Sequence, residues 1–382
     1  MLQPQDYRNH FPILKNRIQL SSCSQSALHF QVKQAIHDYV KSWEENGMNW
    51  ESWVDACEQA RDKFATLINA DPDEIAIVSS VSHAVSAIAS SLSEGHSERD
   101  EIIINEADFP CVGHVWLSHT NFHVKFMSGE QPIEPETYYK KFVSEQTLLT
   151  SVSHISYYNG SRLELDKISK VVHSKGSYLF VDAYQSAGQV EVDVKRDNID
   201  FLATGTQKYL LGVPGIAFLY VKKEIAEQLT PKVTGWFGQE NPFAFDIKQV
   251  KYAQGARRFD SGTPAMMNGF AANSALEVIL DVGIDRIEAH LKELSEHTYQ
   301  QAIRYGMTVK SPASPTDRGS MIAVLTPNAP EVEKQLKEQN IIVSARNDVI
   351  RIAPHFYNTK EDINCALQAL EKDLKTRPTT VD

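Results

Sequence analysis

Short apolar runs alternate with longer amphipathic stretches through the middle of the chain. The apolar runs have the length of buried strands, and the stretches between them place apolar positions at helical spacing. Parallel neighbouring strands need crossover connections, so this cadence predicts a mostly parallel sheet covered by helices. The predicted strands are residues 75–78, 101–105, 122–127, 148–154, 178–181, 199–203 and 216–221.

The pattern changes after residue 265. Residues 266–305 have helical spacing with a break near Gly283, and shorter strands and helices follow. The predicted strands there are residues 321–325, 341–344 and 349–352, and the predicted helices are residues 330–338 and 360–374. We therefore expect an α/β fold in three parts: an N-terminal arm (1–28) associated with the small domain, a large domain (29–265) and a small C-terminal α+β domain (266–382).

Composition and charge exclude several classes of protein. The 382-residue chain has a formal net charge of -11 and no basic block, so nucleic acid is not an expected partner. No apolar run approaches the roughly 20 residues that span a bilayer, and the N-terminus has no apolar signal core. The four cysteines are scattered without metal-ligand spacing. We therefore expect reduced thiols, no metal, no membrane contact and a cytoplasmic location.

Two predicted strands lead to polar residues of complementary chemistry. Residues 178–181 end at Asp182, and residues 199–203 lead to Lys208. In an open α/β sheet, ligands lie beyond the carboxyl ends of the strands. A pyridoxal phosphate (PLP) site needs a lysine that forms a Schiff base with the aldehyde and an acid that keeps the pyridinium nitrogen protonated. The pattern predicts such a site, with Lys208 and Asp182 as its catalytic residues.

The motifs around these residues resemble those of class V aminotransferases, which are fold-type I PLP-dependent enzymes. The motifs are Asp-x-x-Gln from Asp182 to Gln185, Thr-Gly-Thr-Gln-Lys ending at Lys208, and Gly-Thr-Pro at residues 262–264. The resemblance extends from about Leu20 to Asp362 and covers a group that includes cysteine desulfurases, kynureninases and isopenicillin N epimerase. It implies PLP as the cofactor and a large domain with a mostly parallel sheet beside a small α+β domain.

The resemblance also implies a set of cofactor contacts. A hydroxyl-rich turn that opens a helix suits a phosphate. In the family the matching turn binds the cofactor phosphate, which implies Val81 and Ser82 as its phosphate-binding residues here. Phe109 stands where desulfurases stack a histidine on the ring, and Tyr157 and Tyr158 compete for one further contact. The other implied cofactor-binding residues are Asp182, Gln185, Thr206, Gln207, Lys208, Trp236 and Thr263.

The same resemblance implies a substrate site and a partner. Arg351 matches the arginine that binds the substrate carboxylate, because a planar guanidinium can grip a carboxylate through two nitrogens. Arg346 is a second, weaker candidate for substrate binding. In the family, the elements around Trp236 and Thr263 lie near the cofactor of the neighbouring subunit, so a homodimer with shared sites is expected.

The reaction itself is less visible in the sequence. Residues 312–351 contain no cysteine, although desulfurases need a nucleophilic cysteine before the arginine motif. Kynureninases have histidine where this chain has Gln185 and aspartate where it has Val112. We therefore expect an aminotransferase-like enzyme acting on a small amino acid or amine. A β-lyase or an epimerase is the alternative within PLP chemistry, and a non-enzymatic regulator of the same fold is the alternative outside it.

Overall fold

The structure is a computed structural model that describes residues 2–93, 99–129 and 134–376. The outer limits of the first and last predicted domains, residue 1 and residues 377–382, lie outside this range. Within it, the helices are α1 (Gln5–Arg8), α2 (Phe30–Asn46), α3 (Trp50–Leu67), α4 (Val81–Leu92), α5 (Pro110–Ser118), α6 (Pro135–Tyr139), α7 (Leu165–Ser174), α8 (Lys223–Ala226), α9 (Met266–Val282), α10 (Ile284–Arg304), α11 (Ala329–Glu338) and α12 (Lys360–Thr376).

The strands lie close to the predicted positions, with two additions. They are β1 (Ile18–Gln19), β2 (Ile75–Val78), β3 (Glu101–Asn105), β4 (His123–Met127), β5 (Thr147–Ser153), β6 (Tyr178–Asp182), β7 (Phe201–Gly205), β8 (Ala217–Val221), β9 (Ile322–Leu325), β10 (Ile341–Ile342), β11 (Ser344–Arg346) and β12 (Val349–Ile352). The predicted strand at 341–344 is thus replaced by two short strands, which meet at Val343 and pair with different partners.

The central sheet has seven strands in the order β2-β8-β7-β6-β5-β3-β4. From β7 to β4 all neighbours are parallel, whereas β8 is antiparallel to both β2 and β7. The turn between β7 and β8 contains Gly212, Pro214 and Gly215; such a short return needs no crossover helix and therefore gives an antiparallel pair. The α/β fold class with a mostly parallel sheet is confirmed.

Both faces of this sheet are covered, since most of its inner strands are buried along their whole length. Every residue of β3, β5, β7 and β8 is buried. Strands enclosed on both faces read as continuous apolar runs rather than as alternating patterns. This explains why the runs were visible in the sequence.

The C-terminal part contains a separate antiparallel sheet in the order β11-β12-β9. The N-terminal arm joins this part through β1, which pairs in parallel with β10. Helix α9 packs against α2 and α3, and Gly269 allows its backbone to approach the side chain of Cys57 closely. The division at residue 265 stays a prediction, and this packing favours a boundary nearer Gly283.

Over the described residues, no helix is both long and apolar enough to cross a membrane. Over the same residues, no group of three or more histidine, cysteine, aspartate or glutamate side chains is arranged to hold a metal ion.

Candidate active site

The polar residues at the strand ends meet at one edge of the central sheet. Ser153 at the end of β5 pairs with Asp182 at the end of β6, and Asp182 pairs with Ala203 in β7. The chain then turns after β7 and presents Lys208. Parallel strands end at the same edge of a sheet, and this brings Asp182 and Lys208 to one cavity.

This cavity, which we call the cofactor cavity, has a volume of about 240 Å³. Five segments of the chain contribute to its walls, and they lie at or after the ends of strands β2, β3, β5, β6 and β7. They are Ser80, Val81, Ser82, Phe109, Cys111, Ser153, Ile155, Tyr157, Asp182, Tyr184, Gln185, Gln207 and Lys208.

Lys208 reaches into the cavity between aromatic rings. Its Nζ lies 4.2 Å from the ring centroid of Tyr184 and 5.9 Å from that of Phe109. Burial lowers the pKa of Lys208 to about 8, while the negative charge of Asp182 opposes this change. Among the described residues Lys208 has no salt-bridge partner, so its amine is available for chemistry near neutral pH.

Asp182 is 7% exposed and ends β6. Its Oδ1 accepts a hydrogen bond from the backbone N–H of Tyr184 at 2.9 Å. Burial raises the pKa of Asp182, and the hydrogen bond from Tyr184 and the charge of Lys208 oppose that effect. A positive partner placed in the cavity would hold this carboxylate in its charged form.

The helix that borders the cavity starts earlier than the sequence pattern predicts. Residues 79–83 read as a turn, but α4 begins at Val81 because Ser80 caps it, accepting a hydrogen bond from the backbone N–H of His83 at 3.1 Å. Val81 and Ser82 thus occupy the first turn, where backbone N–H groups have no acceptor within the helix. These groups and the positive end of the helix dipole suit a phosphate.

Of the two adjacent tyrosines, the structure brings only Tyr157 to the cofactor cavity. Its ring meets that of Phe109 edge to face, with centroids 5.1 Å apart. The hydroxyl of Tyr158 instead donates a hydrogen bond to Asp348 at 2.6 Å.

The Lys208 turn has its own internal support. The hydroxyl of Thr206 donates to the carbonyl of Val213 at 2.6 Å, so this side chain fixes the turn and does not line the cavity. Gln207 lines the cavity and accepts a hydrogen bond from the hydroxyl of Tyr184 at 3.2 Å. Gly205 permits this arrangement, because a Cβ there would lie 2.2 Å from the hydroxyl oxygen of Tyr184.

The N-terminal arm closes one side of the site. Gln185 donates a hydrogen bond from Nε2 to the carbonyl of Cys23 at 3.0 Å. Arg351, in β12, donates to the hydroxyl of Ser24 at 3.0 Å and to the carbonyl of Tyr157 at 2.8 Å. The arm therefore links the cofactor cavity to the strand that carries Arg351.

Trp236 and Thr263 do not line the cofactor cavity of their own chain. Trp236 stacks on Trp50, with centroids 5.8 Å apart, and Thr263 is exposed. Arg346 and Arg351 line a second cavity beside the cofactor cavity. The structure thus brings Val81, Ser82, Phe109, Tyr157, Asp182, Gln185, Gln207 and Lys208 together, and it leaves Tyr158, Thr206, Trp236, Thr263, Arg346 and Arg351 outside.

Sequence reasoning missed two residues that contact this group. Tyr184 faces the amine of Lys208, and its position within the Asp-x-x-Gln motif was the available signal. Cys111 follows the Phe-Pro pair, lines the cavity and hydrogen-bonds to Ser82. Burial raises the pKa of the Cys111 thiol to about 12, so it is held as a neutral thiol.

These residues fit PLP on the evidence of their own chemistry. The cavity contains a buried amine without a salt-bridge partner among the described residues, a buried carboxylate, and a helix start with unused N–H groups. Lys208 would hold the aldehyde carbon, Asp182 the ring nitrogen, and the first turn of α4 the phosphate.

Comparison with known proteins identifies the family. The family model described as aminotransferase class-V matches residues 20–365. An uncharacterized aminotransferase, YcbU of Bacillus subtilis, is 41% identical over 96% of this chain and 97% of its own length.

Solved structures agree on the fold. The apo structure of a cysteine desulfurase from Thermococcus onnurineus has a TM-score of 0.88 at 22% identity, covering 99% of both chains. A C-DES variant with glycine covalently linked to its PLP cofactor has a TM-score of 0.86 at 21% identity, covering 95% of this chain and 98% of that one. The chain belongs to the class-V aminotransferase family and is a PLP-dependent enzyme.

Proposed function

We propose that this enzyme transfers the amino group of a small amino acid or amine and that Lys208 is its catalytic lysine. The observation that carries the proposal is the placement of the Lys208 amine, buried at the sheet edge against Tyr184 and beside Asp182. When bound, PLP supplies an aldehyde that reacts with amines and a ring that accepts electrons.

Each residue around Lys208 has a distinct task in this proposal. Lys208 holds the cofactor and moves the proton at the reacting carbon, which requires a neutral amine. Its pKa of about 8 makes that form accessible near neutral pH. Asp182 keeps a proton on the ring nitrogen, and the backbone N–H groups of Val81 and Ser82 bind the phosphate. Of the two tyrosines, we propose Tyr157 as the cofactor contact, since it lines the cavity.

Arg351 is proposed to bind the substrate carboxylate. It is 1% exposed, and its guanidinium is already oriented by the carbonyl of Tyr157 and the hydroxyl of Ser24. Its buried Nε has no hydrogen-bond partner among the described residues. A carboxylate would complete this buried donor set, because unpaired buried donors are costly.

A β-lyase reaction is the second candidate, since structural relatives include a cysteine desulfurase and Cys111 lines the cofactor cavity. Nucleophilic attack requires a thiolate, and burial raises the pKa of Cys111 to about 12. This supports transamination over a persulfide mechanism.

A panel of amino acids and amines incubated with the holoenzyme tests the reaction type. Transamination should convert an amino acid to its keto acid, or an amine to its aldehyde or ketone, and convert the cofactor to its amine form; both products are detected by mass. Sulfide, or pyruvate or alanine formed from any substrate other than alanine, would instead indicate a lyase, and substrate of inverted configuration would indicate an epimerase. Turnover of none of the compounds would contradict the proposal.

We further propose that two copies of the chain form a homodimer with shared sites. Apolar side chains after Trp236 are exposed, among them Phe245 at 73% and Ile247 at 96%. Patches of this kind mark protein interfaces. Thr263, exposed and outside its own cofactor cavity, is proposed to donate to the phosphate of the partner.

Mixing two inactive variants tests the shared site. Chains carrying Lys208→Ala and chains carrying Thr263→Val should regain activity on co-refolding, because a heterodimer has one site without either change. Proven subunit exchange without recovered activity, or an active monomer in sedimentation, would overturn the shared site.

A cytoplasmic location is also proposed, supported by the four cysteines, all of which are free thiols. Free thiols are typical of proteins in reducing compartments. Fractionation of cells that express the tagged chain would test the location, and recovery outside the cytoplasm would refute it.

A further inference from the structure

A second cavity of about 270 Å³, which we call the arginine cavity, lies between the N-terminal arm and the C-terminal sheet. Its charged wall residues are Lys337, Arg346, Arg351 and Glu333. Three positive groups and one negative group leave this small space with an excess of positive charge. Such an excess favours an anion.

The two arginines of this cavity have unused donors. The Nε atoms of both Arg346 and Arg351 are buried without a hydrogen-bond partner among the described residues. Neither guanidinium forms a salt bridge within that part of the chain, although Glu333 is nearby and accepts a hydrogen bond from the backbone N–H of Ala345 at 3.3 Å. Buried charged donors without partners are costly, so a ligand is expected to supply the missing acceptors.

The strand register places the two arginines on one face of the C-terminal sheet. Ser344 in β11 pairs with Arg351 in β12, and Arg346 lies two residues further along β11. Directly paired residues and residues two apart share one face of a sheet, so both arginines lie on the same face. Diagonal neighbours of this kind have Cα atoms about 7–8 Å apart. Two arginine side chains that start this close together on one face can both reach one small molecule.

Tyr157 connects the arginine cavity to the cofactor cavity. Its ring lines the cofactor cavity, its carbonyl accepts the hydrogen bond from Arg351, and the guanidinium carbon of Arg346 lies 5.9 Å from its ring centroid. Both arginines therefore contact the residue that lies between the two cavities.

We propose that Arg346 binds a second acid group of the substrate, so that the preferred substrate is an acidic amino acid. This inference rests on the proposed role of Arg351 in binding the substrate carboxylate. Arg346 then determines specificity: a planar guanidinium binds a distal carboxylate through two nitrogens, and neutral side chains leave it unpaired.

Calorimetry with non-reactive acids tests this subsite apart from catalysis. Glutarate and pentanoate have the same carbon chain but differ in the second carboxylate, and neither carries an amino group. The holoenzyme should bind glutarate about tenfold more tightly or better, in keeping with a charged hydrogen bond. Succinate, titrated in parallel, indicates the preferred spacing of the acid groups.

Substitutions assign the preference to one residue. Arg346→Gln should reduce the difference between glutarate and pentanoate to within about twofold, whereas Arg304→Gln, an exposed arginine of α10 outside the cavity wall, should preserve it. Arg351→Gln should weaken both acids. Equal binding of the two acids by the unaltered enzyme, or a full preference in Arg346→Gln, would overturn the inference. Because neither acid can react, failure of transamination in the amino-acid panel is a separate result.

Discussion

Asp182 and Asp260 are both buried aspartates, but their carboxylates have different partners. Asp260 is 4% exposed and Asp182 is 7% exposed, and burial raises the pKa of each. Asp260 forms a salt bridge of 2.7 Å with Arg61 and accepts a hydrogen bond of 2.7 Å from the backbone N–H of Ile77. Asp182 has the N–H of Tyr184 as its hydrogen-bond donor and, among the described residues, no salt bridge.

We propose that this difference separates a structural acid, Asp260, from a functional one, Asp182. Arg61 also binds Glu58 and the carbonyl of Ile75, so the Asp260 pair connects α3, β2 and the chain after the central sheet. Its charges are satisfied within the fold. Asp182 borders a cavity and lies near a lysine that is equally without an ion-pair partner among the described residues. An incompletely paired buried charge is costly to folding, and a bound ligand would offset that cost.

The largest effect is expected from Lys208→Ala. The variant lacks the amine that we propose as the covalent link to the cofactor and as the proton carrier, so turnover should fall by about ten-thousand-fold. Lys222→Ala is the matched control, because Lys222 directly follows the neighbouring strand β8 and lies outside the cavity. The steady-state turnover rates of the two variants are compared. A Lys208 variant with near-normal turnover would show that another lysine holds the cofactor.

Asp182→Asn should reduce turnover by about a thousand-fold, since the amide cannot keep a proton on the ring nitrogen. Its urea midpoint should be unchanged or higher, because a buried and incompletely paired charge has been removed. Rates and urea denaturation are measured on the same preparation. Lost stability together with retained activity would reverse the role assigned to Asp182.

Asp260→Asn should give the opposite result. It leaves Arg61 without its buried partner and should lower the free energy of unfolding by about 3 kcal/mol. Turnover per folded molecule should remain within about threefold of normal, because Asp260 does not line the cofactor cavity. The two single variants, measured side by side, distinguish the roles of the two aspartates. A catalytic loss in Asp260→Asn at normal stability would contradict the structural role assigned to Asp260.

The smallest effect concerns the pH dependence of cofactor uptake. A neutral amine attacks the aldehyde, so uptake of PLP by the apoprotein should rise with pH and level off above the Lys208 pKa of about 8, well below the ordinary 10.5. Asp182→Asn removes a charge that raises this pKa, so the plateau should begin at lower pH. Asp260→Asn should leave the profile unchanged. Stopped-flow absorbance measures it, and a shift to higher pH in Asp182→Asn would contradict the account.

Much of the fold could be predicted because most strands of the central sheet are buried on both faces. β2, β3 and β12 have the predicted bounds, since polar residues or turns mark both ends of their apolar runs. The antiparallel direction of β8 and the pairing of β1 with β10 depend on contacts between distant parts of the chain. Local periodicity carries no information about such contacts.

Part of the candidate site could likewise be predicted from the sequence, and part of it depends on contacts between distant residues. Asp182 and Lys208 follow apolar runs, so their approach could be inferred from the order of parallel strands. Tyr157 and Tyr158 are adjacent in a turn, and only the three-dimensional path of the chain separates them. Likewise, the common face of Arg346 and Arg351 results from the register between β11 and β12.

The central claim is that Lys208 holds the cofactor, and chemical trapping tests it most directly. Borohydride reduction of the holoenzyme fixes the link between PLP and its lysine, and peptide mapping by mass spectrometry then locates the added mass. The account predicts the label on the peptide that contains Lys208, with none on the peptide that contains Lys222. A stoichiometric label on any other lysine would contradict it.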